Sequence, residues 1–122
     1  MKKILIVEDE IFLADIYKYK LIHSGFEVIE ANSAKAALNI LEKNIPDLIL
    51  LDILLPEESG VEFLARIRKI PKFSSLVVIA FSNYDEPKTK NKMKKLGAKE
   101  YLIKANYTPQ EVIEKINKYL TN

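Results

Sequence analysis

Five short apolar runs, each followed by a segment with helical periodicity, constrain the fold of this chain more than any other feature. The runs occupy residues 3–7, 26–30, 48–52, 76–81 and 100–103. Those at 3–7, 48–52 and 76–81 are almost continuous in apolar residues, which is typical of strands covered on both faces of a parallel sheet. The alternation therefore predicts a doubly wound α/β sandwich of the (βα)5 type.

Helix-start signals fall between these runs. Ser59 and Glu62 have the spacing of a capping box, as do Thr108 and Glu111, and Ser33 can cap the second helix. The first helix, from residue 9 to about residue 24, is predicted to place Leu13, Ile16, Tyr17, Lys20 and Leu21 on one stripe, with the charged end of Lys20 in solvent.

Length and composition limit the classes of function. The 122 residues, 48% hydrophobic and 30% charged, predict one domain with one core. The chain has no cysteine, and no apolar run approaches the roughly 18 residues that a membrane helix needs. We therefore expect a cytoplasmic protein that does not contact a membrane. The net charge of +2 is too small to indicate nucleic-acid binding, so direct contact with nucleic acid is not expected.

A carboxylate interrupts the most apolar stretch of the chain, LILLDILLP at residues 48–56. Asp52 ends the third predicted strand. Glu8 and Asp9 follow the first strand, Ser82 follows the fourth, and Lys104 follows the fifth. Ligands of doubly wound sheets bind beyond the carboxyl ends of the strands. We therefore expect these side chains to converge on one edge if their strands are neighbours.

This set of side chains favours phosphoryl chemistry. Three carboxylates repel one another unless a cation intervenes, and Mg²⁺ suits one or two carboxylates together with water and phosphate oxygens. Lys104 would add a compact positive charge and Ser82 a hydroxyl donor. Because a carboxylate can form an aspartyl phosphate, Asp52 is predicted to be the phosphoacceptor.

The motifs together resemble those of the receiver domains of two-component response regulators. The resemblance covers the whole chain and implies a flavodoxin-like fold, with a five-stranded parallel sheet of order 2-1-3-4-5. It also implies a single receiver domain over residues 1–122, with no output domain present. The motifs are Val7-Glu8-Asp9-Glu10, Asp52 followed by Leu55-Pro56 and Gly60, Ala80-Phe81-Ser82, and Tyr101-Leu102-Ile103-Lys104.

The resemblance implies how the acceptor and the metal are held. Asp52 would accept a phosphoryl group from a phosphohistidine on a sensor histidine kinase or a histidine phosphotransfer protein, in a reaction that needs Mg²⁺. Asp9 would bind the metal directly and Glu8 through water. Asp52 and the backbone carbonyl of Leu54 would complete the protein ligands.

The same resemblance implies that the remaining site residues contact the phosphoryl group and form a conformational switch. Lys104 and the hydroxyl of Ser82 would contact the phosphoryl oxygens. Movement of Ser82 would be coupled to inward rotation of Tyr101, which would remodel the surface of the fourth helix, fifth strand and fifth helix. That surface would act on a downstream protein partner or on a missing output domain. Such a domain is not an enzyme in the usual sense, since it catalyses only its own phosphotransfer and dephosphorylation.

The sequence departs from the family pattern at four positions around the site. Ala105 stands where the family usually has a proline in a cis bond, so this loop is expected to be either strained or trans. Asn83 replaces a small residue and is expected to narrow the entrance or to bond the phosphate. Leu54 and Tyr84 put apolar groups where many relatives have polar ones, which predicts slow loss of the phosphoryl group.

Other functions fit the sequence less well. A mononucleotide binder of the same fold needs a Ser/Thr/Gly-rich loop after the first strand, where residues 8–10 are acidic. A phosphatase with an aspartate nucleophile typically carries a second aspartate at the position of Leu54. The alternative that stays open is a receiver-like interaction module whose phosphorylation is slow or minor. Residues 88–99 contain six lysines and no acid, which indicates either a solvated face or a surface for an acidic partner.

Overall fold

The structure is a computed structural model that describes residues 1–120, and it confirms the predicted (βα)5 arrangement. All five strands are parallel and have the order β2-β1-β3-β4-β5, as the resemblance implies. No helix among the described residues is both long enough and apolar enough to cross a bilayer. The strands are β1 Lys3–Val7, β2 Glu27–Ala31, β3 Leu48–Leu51, β4 Val77–Ser82 and β5 Glu100–Ile103. The helices are α1 Ile11–His23, α2 Ala34–Lys43, α3 Gly60–Arg68, α4 Pro87–Lys95 and α5 Pro109–Leu120, with two 3-10 turns at Pro71–Phe73 and Lys104–Asn106.

The sheet separates two apolar cores, where the chain length predicted one, because successive side chains of a strand point to opposite faces. Helices α1 and α5 cover one face, which includes Ile4, Ile6 and Leu50. Helices α2, α3 and α4 cover the other face, which includes Leu5 and Ile49. Both faces of the central strands are therefore buried, which explains their nearly continuous apolar runs.

The predicted caps are all present. The hydroxyl of Ser33 accepts a hydrogen bond at the start of α2. In the first capping box Ser59 and Glu62 exchange two hydrogen bonds of 3.1 Å. Thr108 and Glu111 exchange bonds of 2.8 and 3.2 Å. These local contacts fix where α2, α3 and α5 begin.

The buried stripe that was predicted for α1 is wrong in part. Tyr17 and Leu21 are buried and Lys20 is exposed, as predicted, but Ile16 of the same stripe is 48% exposed. Ala14 occupies the buried place instead. Apolar residues occur on every side of this helix, so their periodicity does not distinguish the core face from the solvent face.

Strands β2 and β4 begin and end one residue later than predicted. The cause at β2 is the end of α1, where the Phe26 N–H donates to the Leu21 carbonyl at 3.0 Å and so belongs to the helix-closing turn. Gly25 makes that turn possible with a φ of 95°, a conformation that disfavours side chains. Asp52 falls just beyond β3, although its N–H still donates to the Val7 carbonyl at 3.0 Å.

Candidate functional site

The register of the central strands brings the acidic side chains to one level. Val7 of β1 lies opposite Leu51 of β3, so Glu8 and Asp52 follow side by side at the carboxyl edge. One carboxylate oxygen from each of Glu8, Asp9 and Asp52 lies within 4.8 Å of the others. Glu8 and Asp52 are buried, whereas Asp9 is exposed. The predicted convergence of these three carboxylates is therefore observed.

The backbone and a lysine hold the two oxygens of Asp52 differently. Its Oδ1 accepts hydrogen bonds from the N–H groups of Ile53, at 2.7 Å, and Leu54, at 3.4 Å. Its Oδ2 lies 3.3 Å from the Nζ of Lys104. The carboxylate is thus fixed in orientation, with Oδ2 on the side of the positive charge.

Lys104 joins the acid cluster from the end of β5. Its Nζ lies 2.7 Å from Glu8 Oε1 and 5.7 Å from the centre of the Phe81 ring. Burial opposes the charge of this ammonium, but the bond to Glu8 and the nearby Asp52 outweigh it and raise the pKa of Lys104. The lysine therefore stays charged at neutral pH. The contact of Phe81 with Lys104 was not predicted from the sequence, where the only signal was the place of Phe81 near the end of an apolar strand.

The charges of the cluster fit a divalent cation. Burial, opposed by the hydrogen bond from Lys104, raises the pKa of Glu8 to about 7. When Glu8, Asp9 and Asp52 are all ionised, Lys104 balances one of the three negative charges. Carboxylate oxygens at this spacing are suitable ligands for a hard cation such as Mg²⁺ or Mn²⁺. The Leu54 carbonyl as a further ligand stays a prediction.

The two residues of the predicted switch are connected through a third. Ser82 is buried at the end of β4, and its Oγ accepts a hydrogen bond from the Tyr84 N–H at 3.2 Å. The Tyr84 carbonyl accepts one from the Tyr101 hydroxyl at 2.5 Å. Burial and the nearby Asp52 raise the pKa of Tyr101 to about 12, so this hydroxyl keeps its proton. The backbone of Tyr84 therefore links Ser82 to Tyr101, a role that the sequence did not indicate.

The departures from the family pattern lie around this site. The described residues contain no cis peptide bond, so the Lys104–Ala105 peptide is trans. The Ala105 N–H donates to Asn83 Oδ1 at 3.0 Å, which gives this side chain a partner other than those predicted. Leu54 is 55% exposed, and the hydroxyl of Tyr84 donates to Glu86 at 2.7 Å.

A parallel sheet of this order, with an acid cluster and a lysine at its carboxyl edge, indicates a signalling domain of the receiver type. Residues 4–117 match the family described as the response regulator receiver domain. The chain belongs to this family.

Individual relatives agree with this assignment. The chain is 34% identical over 119 residues to the alkaline phosphatase synthesis transcriptional regulatory protein PhoP of Bacillus subtilis, which covers 98% of this chain and 48% of PhoP. It therefore spans about half the length of that relative. A CheY-like receiver domain protein from Methanospirillum hungatei has a TM-score of 0.91 and 31% identity, covering 98% of this chain and 94% of the other. The Mn²⁺-bound form of the response regulator Rcp1 has a TM-score of 0.86 and 25% identity, with coverage of 98% and 94%.

Proposed function

We propose that Asp52 accepts a phosphoryl group from a phosphohistidine of a sensor histidine kinase or a histidine phosphotransfer protein, in a Mg²⁺-dependent reaction. The observation that carries this proposal is the surroundings of Asp52, a buried carboxylate 3.3 Å from Lys104 and within an acid cluster. The N–P bond of the donor breaks as an O–P bond forms on Asp52. The domain catalyses only this transfer and the later hydrolysis of its own aspartyl phosphate, so it is not an enzyme for a separate substrate.

The geometry supports a role for each group. We assign Asp52 Oδ2 as the nucleophile, because Oδ1 is held by two backbone N–H groups. Lys104 and the Ser82 hydroxyl would neutralise and hydrogen-bond the phosphoryl oxygens, where charge builds up during transfer. Glu8, Asp9 and Asp52 would hold Mg²⁺, which when bound supplies positive charge to the crowded oxygens. The structure of Mn²⁺-bound Rcp1 supports a divalent cation in this family.

The link through Tyr84 supports the proposed switch. If the Ser82 hydroxyl turns to the phosphoryl group, its hydrogen bond with the Tyr84 N–H is lost. The carbonyl of the same residue holds Tyr101, so the loop before α4 and the ring on β5 would respond together. Phosphorylation would thus act as a local change of charge that biases the surface of α4, β5 and α5. A downstream protein or an output domain would read that surface.

An apolar face of α1 supports a protein as the phosphoryl donor. Phe12 is 87% exposed, Tyr19 is 63% exposed, and Ile16 lies between them on the same side of the helix. The face begins three residues after Asp9, next to the acid cluster. Because exposed apolar patches mark interaction sites, we assign this face to the partner that carries the phosphohistidine.

Comparison of two phosphoryl donors tests this assignment. Phe12→Ser and Ile16→Ser should slow transfer from an autophosphorylated sensor kinase, while phosphorylation by phosphoramidate stays unchanged, because a small donor needs no docking face. Asn39→Ser is the matched control, since Asn39 is exposed on α2, on the other side of the sheet. Wild-type transfer from the kinase to both α1 variants would show that this face does not bind the donor.

A further inference from the structure

The turn that carries Lys104 is held by a hydrogen bond that could not form if residue 105 were a proline. The Ala105 N–H donates to Asn83 Oδ1 at 3.0 Å. A backbone N–H can only donate, so the Asn83 amide must present its oxygen here. Proline has no N–H, and this bond therefore requires a residue other than proline at position 105.

Strand register explains why these residues meet. Ser82, the last residue of β4, lies opposite Ile103, the last residue of β5. Asn83 and Lys104 are the next residues along the two strands, and the Asn83 side chain reaches one residue further, to Ala105. The bond therefore ties the Lys104–Asn106 turn to the loop after β4, at the point where the backbone ladder ends.

The turn itself is weakly closed. Its own bond, from the Tyr107 N–H to the Lys104 carbonyl, is 3.4 Å long, which is beyond the usual distance for a strong N–H···O bond. The Lys104 side chain has to reach two carboxylates from this turn, at 2.7 Å and 3.3 Å. A small shift of the turn would therefore change where the ammonium lies.

We propose that Asn83 is a positioning residue, which holds the Lys104 turn so that the ammonium lies correctly for phosphoryl transfer. This inference rests on the function proposed above. Asn83 and Ala105 are both exposed, so their bond contributes little to the core, and its main effect is on the geometry of the site. Misplacement of a reacting group by about 1 Å can slow a reaction by two orders of magnitude.

Asn83→Ala tests the proposal directly. Loss of one neutral hydrogen bond corresponds to about 1 kcal/mol, and we expect phosphorylation by phosphoramidate to slow about fivefold at fixed Mg²⁺. In the metal-free protein the Ala105 amide should exchange with solvent faster than in the wild type. Mg²⁺ affinity should change by less than the rate, because the described hydrogen bond of Asn83 goes to Ala105 and not to a carboxylate. Asn106→Ala, on the exposed end of the same turn, is the matched control and should behave as the wild type.

Two backgrounds separate positioning from a general loss of structure. In a Lys104→Ala background, Asn83→Ala should have no further effect on the rate, since the group that it positions is absent. In an Ala105→Pro background it should also have no further effect, because the donor N–H is gone. A full fivefold loss in either background would overturn the proposal, as would a wild-type rate for Asn83→Ala alone. If the wild type itself gains no phosphoryl group, the proposed function fails instead.

Discussion

Replacing Gly60 by alanine tests how closely α3 packs on the peptide that follows the phosphoacceptor. A Cβ at position 60 would lie 2.2 Å from the Asp52 carbonyl oxygen and 2.9 Å from the Cα of Ile53. Ordinary contacts of a Cβ are 3.4–4 Å. Both neighbours are backbone atoms, so neither can rotate away. The start of α3 or the peptide after Asp52 therefore has to move by roughly 1 Å, the difference between these distances.

The displacement should affect both stability and chemistry. Overpacking of a tight site destabilises a protein by about 1–3 kcal/mol, and we expect a loss of that size in the free energy of unfolding of Gly60→Ala. The Gly60 N–H also donates to the Ile53 carbonyl at 2.9 Å, so this contact would be strained as well. Because the moved peptide supplies a hydrogen bond to the Asp52 carboxylate, phosphorylation should slow by about tenfold or more.

Urea unfolding and phosphorylation by phosphoramidate measure the two effects. Gly25→Ala is the matched control: Gly25 has a φ of 95°, and no atom would lie within 4 Å of its Cβ. That variant should lose about 1 kcal/mol from backbone strain and keep the wild-type rate of phosphorylation. A Gly60→Ala protein with wild-type stability and wild-type phosphorylation would refute the packing argument.

Three other predictions follow from the described contacts. Burial and the neighbouring Asp15 raise the pKa of Glu30 in the folded protein. Folding stability is therefore lost as the pH rises from the pKa of a glutamate in the unfolded chain, about 4.3, through the higher pKa of the folded state. Glu30→Gln should therefore raise the melting temperature at pH 7.5 and less so at pH 4; equal gains would contradict this. Leu54→Asn and Tyr84→Glu should each speed decay of the aspartyl phosphate, because a polar side chain at either position can hold the attacking water. Decay at or below the wild-type rate in both variants would show that these side chains do not control the access of water. Lys92→Glu and Lys95→Glu should weaken the binding of an acidic downstream partner and reduce the salt dependence of that binding. Unchanged binding in a pull-down across salt concentrations would exclude the lysine-rich segment at residues 88–99 as the binding surface.

Local signals predicted most of the fold. The capping box of Ser59 and Glu62 is a contact between residues three apart, so its spacing was enough to predict it. Continuous apolar runs marked β1, β3 and β4 because both faces of these strands are buried. The strand order depended on the resemblance, since pairing between distant strands leaves no local pattern. Helix α1 shows the limit of periodicity: Ile16 is as apolar as a core residue and yet lies on the exposed side.

The candidate site was predictable to the extent that its residues end strands. The alternation implies that parallel strands finish at one edge, and the strand order implied by the resemblance then brings Asp52 and Lys104 together on either side of β4. The bond from Ala105 to Asn83 could not be predicted in this way, because it joins two loops through one side chain. The same holds for Arg68, whose Nε donates to the Leu96 carbonyl at 2.7 Å and so caps α4 from a neighbouring helix. Such contacts depend on how loops and helix ends meet in space.

The intact mass of the protein after incubation with phosphoramidate tests the central claim most directly. The wild type should gain the mass of one phosphoryl group in the presence of Mg²⁺ and none when the metal is chelated. Asp52→Asn should gain none under either condition, because it lacks the carboxylate oxygen that forms the O–P bond. A wild type that stays unmodified would favour the receiver-like interaction module whose phosphorylation is slow or minor. Phosphorylation of Asp52→Asn at the wild-type level would contradict the assignment of Asp52 as the acceptor.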